Sequence, residues 1–251
     1  MKTAFLTCAC KNLKYYKFGL DICKKFKDKN FDVFVLTDNS EIFSDFNVIP
    51  YTYGNFSYHY KLFPLEKLYE LGYEQILFID ADVFVFTQNF FKELKKIKFE
   101  TGVSFTRNGL PKNLELFVTG FDLVNLKNKL ELLNVGPLHE IPSIWEDMLY
   151  FNFKNIDPRP LFDYYKKITD LKHESDILNG NLEYFGNNEG YALSISCKLA
   201  NINSKIDDNF NNLNNTIWQG TTLEGFDSMV AFVEDEEEKL KKYPKPVVKL
   251  I

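Results

Sequence analysis

The sequence predicts an α/β fold, a single Rossmann-like domain with a mainly parallel mixed sheet flanked by helices. Short apolar runs alternate with stretches of helical periodicity through the first hundred residues. Those runs are hydrophobic without an in–out alternation, as strands covered on both faces require. No internal repeat and no linker rich in Gly, Pro or Ser divides the 251 residues.

Thr3–Cys10 reads as a buried strand. From Asn12 to Asp28, Leu13, Tyr16, Leu20, Cys23 and Phe26 recur at steps of three and four, which marks one helical face. Asp32–Thr37 is β-branched and aromatic, a second strand that Asp38-Asn39-Ser40 ends with turn chemistry. Val48–Tyr53 is a third, shorter strand. Leu62, Leu65, Leu68 and Leu71 space a helix that Gly72 terminates. Gln75–Ile79 (QILFI) is the strongest strand in the chain. In the second half, Gly102–Thr106 and Leu116–Asn125 read as strands. Ile144–Phe153 and Asn188–Ala200 read as helices, and Asn201–Asn215 reads mainly as loop.

A net charge of -5 argues against a protein that coats nucleic acid, because neutralising phosphates needs a basic face. Arginine occurs only at Arg107 and Arg159, and Lys, Asn, Phe and Tyr are abundant, a bias that AT-rich codons explain. Cys8, Cys10, Cys23 and Cys197 form no CxxC pair; free, mostly buried thiols in a reducing cytoplasm are expected, with Cys8 and Cys10 on opposite sides of their strand. Ala4–Cys10 is too short for a signal-peptide apolar region and no run of 18 apolar residues exists, so neither a leader nor a transmembrane segment is expected. The lysine-rich Lys239–Ile251 follows the acidic run Glu234–Glu238 and reads as a solvated tail, with peripheral membrane contact as the alternative.

The chemistry concentrates in Ile76–Phe86, ILFIDADVFVF, where Asp80 and Asp82 interrupt a very apolar stretch. Two carboxylates so placed are costly to bury unpaired, so the strand end should be open and carry something positive. A hard divalent cation suits their oxygens and can bridge a diphosphate. The competing reading is an Asp pair capping the following turn through backbone N–H groups.

The stretch Tyr60–Phe86 resembles the donor-binding region of glycosyltransferases of the GT-A fold, and most closely the glycogenin-like family that includes bacterial lipopolysaccharide galactosyltransferases. The matching residues are Lys61, Leu62, Tyr73 and the Asp80-Ala81-Asp82 triplet. The resemblance implies an Mn²⁺ or Mg²⁺ site on Asp80 and Asp82 and a nucleotide-diphosphate sugar donor, a UDP-sugar in most of the family. It implies residues 1–100 as the nucleotide-binding half, 101–230 as the acceptor-binding half and 231–251 as a tail.

Further positions follow the same resemblance. Thr7 and Asp38 correspond to contacts with base or ribose, Lys61 and Ala81 to the donor site, and Gly120 in LFVTGFDLVNL to a backbone approach to the donor sugar. Glu146 and Asp147 in WEDMLYFN, Glu189 in NEGYALS and Arg107 would line the acceptor side, with Asp147 or Glu189 a candidate base in an inverting reaction. The family's late histidine, a third metal ligand, has no counterpart: the comparable place reads Ile217-Trp218-Gln219-Gly220, and His59, His139 and His173 fall elsewhere.

Two alternatives stand beside the transferase. A phosphatase of the haloacid-dehalogenase type also sets Asp-x-Asp after a hydrophobic strand, but on its first strand and with Thr or Val where this chain has Phe84. A non-catalytic relative that binds a sugar or a protein partner is the other.

Overall fold

The computed structural model describes residues 3–53, 58–85, 87–106, 113–114, 134–144, 147–179, 189–207, 210, 213 and 217–219. Its seven-stranded sheet takes the order β3-β2-β1-β4-β7-β6-β8. The strands are β1 Thr3–Cys8, β2 Asp32–Thr37, β3 Asn47–Pro50, β4 Gln75–Ile79, β6 Gly102–Phe105, β7 Met148–Asn152 and β8 Ser204–Ile206. β1 to β4 run parallel to one another, β7 is antiparallel to both β4 and β6, and β8 pairs parallel with β6. A second ribbon pairs β5 Val83–Val85 with β9 Ile217–Gln219, antiparallel. This is the α/β, mainly parallel mixed sheet that the sequence predicts.

β1, β2 and β4 are buried almost throughout because both faces of the sheet are covered. Alternation along β1 sends Ala4, Leu6 and Cys8 into one apolar cluster and Phe5 into the other. The first cluster is closed by helices α2 Pro64–Glu70, α4 Arg159–Asn179 and α5 Glu189–Leu199. The second is closed by α1 Leu13–Lys27 and α3 Thr87–Leu94, with Phe26 stacked on Phe5 at 3.8 Å.

α1 starts where Asn12 accepts a hydrogen bond from the Lys14 N–H at 2.9 Å and ends in a lysine-rich turn that complements the helix dipole. It buries Phe18, Gly19, Ile22, Cys23 and Phe26; of the expected face, Cys23 and Phe26 are enclosed, Tyr16 and Leu20 pack half-buried against the same cluster, and only Leu13 is exposed. At Gly19 a Cβ would come within 2.7 Å of the Ala9 Cβ, so the helix lies close against the chain leaving β1. Pro64 opens α2, and Gly72 at φ +87° closes it, with the Tyr73 N–H reaching back to the Leu68 carbonyl.

The expected helix over Ile144–Phe153 is instead β7. Met148–Asn152 are buried at every position, as a strand between two others must be, and an uninterrupted apolar run of this length carries no period that separates strand from buried helix. The Asn-rich loop expected over 201–215 contains the short strand β8. The sequence reading also passed over α3 and α4. α4 begins after Asp157, which accepts the Arg159 N–H at 3.1 Å, with Pro160 in the first turn where its missing donor costs nothing. The Arg159 guanidinium is exposed and paired with Asp157, and that partner holds the Asp157 carboxyl below its usual range. The strand expected over Leu116–Asn125 lies outside the described residues.

Candidate active site

Ligands of open α/β sheets gather where the strands end at their carboxyl termini, and the cleft here lies at the ends of β1 and β4. Cys8 and Cys10 line it from the end of β1 and the turn after it, and Tyr15 from the first turn of α1. Asp80, Ala81 and Asp82 line it from β4, and Lys61 comes from the short 3₁₀ turn Tyr58–Leu62.

Asp80 does not continue the strand. Its N–H donates to the Asp147 carbonyl at 2.9 Å, and its own carbonyl accepts from the Val83 N–H at 3.1 Å, which folds Asp80-Ala81-Asp82 into a turn leading to β5. The positive charge that the sequence demands at this strand end is Lys61. Its Nζ donates to Asp80 Oδ1 at 2.9 Å and Oδ2 at 2.7 Å, and it lies 5.7 Å from the centre of the Phe78 ring. Lys61 is buried, as an ammonium can be only when its partner is a carboxylate. Ala81 is buried against the cleft and Asp82 is half-buried.

Antiparallel pairing of β7 with β4, register Ile79↔Met148, carries Asp147 beside Asp80. Asp147 is therefore not in a helical first turn, and its buried side chain is adjacent to the Asp-x-Asp turn in the strand ladder. The β5–β9 ribbon sets Gln219 opposite Val83, next to Asp82 in the chain. The segment that stands where the resemblance implies a third metal ligand is thus brought to the Asp-x-Asp turn by its backbone register.

Asp38, exposed at the end of β2, accepts the Lys11 N–H at 3.1 Å and the Tyr16 hydroxyl at 2.8 Å. It ties the turn after β1, where Lys11 has φ +65°, to the end of the neighbouring strand. Burial first, then the Asp38 hydrogen bond, push the Tyr16 hydroxyl up to about 12. Thr7 does not reach the cleft surface. It is fully enclosed, and its Oγ1 has no hydrogen-bond partner among the described residues. Glu189 opens α5 as expected, while Arg107, Gly120 and Glu146 lie outside the described residues.

Sequence reasoning missed three cleft residues: Tyr15, Cys8 and Cys10. Their signal was position, since they flank the turn after the first strand of a parallel sheet. The two thiols share a face rather than opposing each other, because positions two apart on a strand point the same way. Cys8 Sγ donates to Cys10 Sγ at 3.9 Å, and that contact, followed by burial, raises the Cys8 thiol well above its ordinary range.

A metal fits the donor set in part. Asp80 and Asp82 offer hard oxygens, and a carboxylate, with about four lone-pair directions, can accept from more than one partner. Among the described residues no group of three or more His, Cys, Asp and Glu side chains converges as a ready-made cage. A cation here would rely on phosphate oxygens and water for its remaining ligands, as Mg²⁺ commonly does.

No protein-family model matches the sequence, and no curated protein sequence matches it. Among solved structures, the chain is similar to mouse Xyloside xylosyltransferase 1 at 10% identity and TM-score 0.44, covering 83% of this chain and 85% of that one. It is similar to the glycosyltransferase GlyE of Streptococcus pneumoniae at 14% identity and TM-score 0.48, covering 97% of this chain but only 53% of GlyE. It is also similar to a 4-diphosphocytidyl-2C-methyl-D-erythritolsynthase of Anaerococcus prevotii at 13% identity and TM-score 0.44, covering 93% and 98%. At this identity and superposition the matches carry no weight for activity.

Proposed function

We propose that the chain is a metal-dependent glycosyltransferase that moves a sugar from a nucleotide-diphosphate sugar, a UDP-sugar, to a hydroxyl acceptor in surface-glycan synthesis. One observation carries the reading. A cleft at the carboxyl ends of β1 and β4 is rimmed by Asp80 and Asp82, with the Lys61 ammonium buried against Asp80.

Asp80 and Asp82 would hold Mn²⁺ or Mg²⁺, which when bound supplies charge stabilisation to a departing diphosphate. Lys61 fixes the orientation of the Asp80 carboxylate and sets an opposite charge against it in a largely apolar surround. The turn at Ala81 places backbone rather than bulk at the cleft wall. Tyr15 supplies an aromatic ring to the same cleft, a surface suited to a nucleobase or a sugar. Asp147, carried beside Asp80 by β7, and Glu189, at the start of α5, are the proposed acceptor-side carboxylates. By resemblance alone, Asp38 meets ribose or base, Gly120 the donor sugar, and Arg107 and Glu146 the acceptor. Among the described residues no helix is long and apolar enough to cross a membrane.

The test is incubation of the purified chain with UDP-sugars and Mn²⁺, reading UDP release, alongside UDP binding with and without the metal. Release in the presence of Mn²⁺ supports the enzyme. Metal-dependent UDP binding with no release for any nucleotide sugar or added acceptor points to a binding relative, and absence of both defeats the reading.

A further inference from the structure

We infer that Cys8 and Cys10 form a reactive dithiol in the wall of the cleft, one that closes to a disulfide when a small-molecule disulfide such as glutathione disulfide enters. The four cysteines divide into two kinds. Cys23 lies within α1 and Cys197 within α5, each completely enclosed and away from the cleft. Cys8 and Cys10 are also largely buried, but both line the cleft, and their sulfurs sit 3.9 Å apart. Closing the gap to a bond of about 2.05 Å takes side-chain rotation at Cys10, which lies beyond the end of β1 and just before the positive-φ turn at Lys11.

The order of attack follows from the contacts. Cys8 is the donor of the thiol–thiol hydrogen bond, and that bond holds its proton. Cys10 donates only at long range to the Leu36 carbonyl, 3.5 Å away, and receives the Cys8 S–H, so in this sequence of steps it attacks first. It gives its proton to water, and the thiolate attacks one sulfur of glutathione disulfide. The S–S bond breaks and one glutathione leaves, taking up a proton. Cys8 then loses its proton and attacks the Cys10 sulfur, expelling the second glutathione as a thiol. The chain loses two hydrogens and two electrons, and the reagent gains them.

The experiment uses the native chain with glutathione disulfide, a quench in acid, alkylation of remaining thiols and tryptic digestion. Cleavage after Lys2 and Lys11 isolates Thr3–Lys11, which holds Cys8 and Cys10 and no other cysteine. The expected product is that peptide lighter by two hydrogens and unalkylated, restored to two alkylatable thiols by dithiothreitol, while Cys23 and Cys197 alkylate fully. In Cys8→Ser the ring cannot close, and glutathione is expected to remain on Cys10. Recovery of the wild-type peptide with both thiols alkylated, or with a lasting glutathione adduct and no ring, overturns the inference. The mass readout needs no nucleotide, so its failure leaves the transferase reading to its own test.

Discussion

The Lys61 ammonium grips both carboxylate oxygens of Asp80, at 2.9 and 2.7 Å, from a position where its side chain is only 5% exposed against 17% for Asp80. Removing one partner of such a pair strands the other's charge out of water. Lys61→Met should cost about 3 kcal/mol, the lower end for a buried pair because Asp80 keeps some solvent, and lower Tm by roughly 6–12 °C. Lys61→Arg keeps the charge and should lose less. Thermal denaturation of the two variants checks this, and equal losses would show that packing, not charge, is what Lys61 supplies.

Asp82 shares the cleft with Asp80 but is half-buried, and no pairing with Lys61 ties it down. Asp82→Asn should therefore change stability by no more than about 0.5 kcal/mol. If Asp82 holds the cation, Mn²⁺-dependent UDP affinity should fall by at least the order of 10–100-fold that losing even a supporting residue costs a metal site. Calorimetric titration of UDP with and without Mn²⁺ separates the two effects, and unchanged affinity removes Asp82 from the metal site.

Tyr150, in the middle of β7, stacks on Phe99 with ring centres 3.5 Å apart, and burial pushes its hydroxyl up to about 12 from 10.0. Between those values the unfolded chain has lost this proton while the folded chain keeps it, so stability falls as pH rises. The contribution is whole below pH 10.0 and gone above about 12. Tyr150→Phe should flatten the decline in urea midpoint across that window, and a variant as pH-sensitive as the wild type would place the titration elsewhere.

How far the sequence could be read depended on what kind of signal each segment carried. β2 and β4 were legible to the residue because β-branched and aromatic runs ended at Asp38 and Asp80, where a strand must stop. β7 was misread because its neighbours in space, β4 and β6, are distant in sequence and only their pairing makes Met148–Asn152 a strand. The same gap hid the site's main contact: Lys61 and Asp80 were each singled out, but nothing in their spacing says that one neutralises the other. α1 was placed correctly and most of its expected face packs inward, but Gly19 and Phe18 were not foreseen, since the close approach of Gly19 to Ala9 is a tertiary fit.

Gly102 opens β6 with φ +123°, a conformation side chains avoid, and a Cβ there would lie 2.2 Å from the Asn203 carbonyl oxygen. Because Val103 N–H donates to that same carbonyl at 2.8 Å, the strand cannot move aside without giving up the link to β8. Gly102→Ala should destabilise by roughly 3 kcal/mol, combining backbone strain with the clash. A urea titration with a midpoint within error of wild type would contradict this geometry.

The place of the missing histidine offers a gain-of-function test. The register Val83↔Gln219 sets the β9 backbone against β5 one residue past Asp82, so a histidine at 219 tests whether this position lies within reach of the two carboxylates. Imidazole binds first-row divalent ions far better than a carboxamide does. Gln219→His should therefore tighten Mn²⁺-dependent UDP binding by about tenfold, near 1.4 kcal/mol. The added affinity should fade as pH drops through the ordinary histidine range near 6.5, because the ring binds metal only when neutral. Double substitution with Asp82→Asn separates a new shared site from an unrelated surface one: a shared site loses most of the gain, and a gain that survives intact would mean the two strands do not converge on one ion.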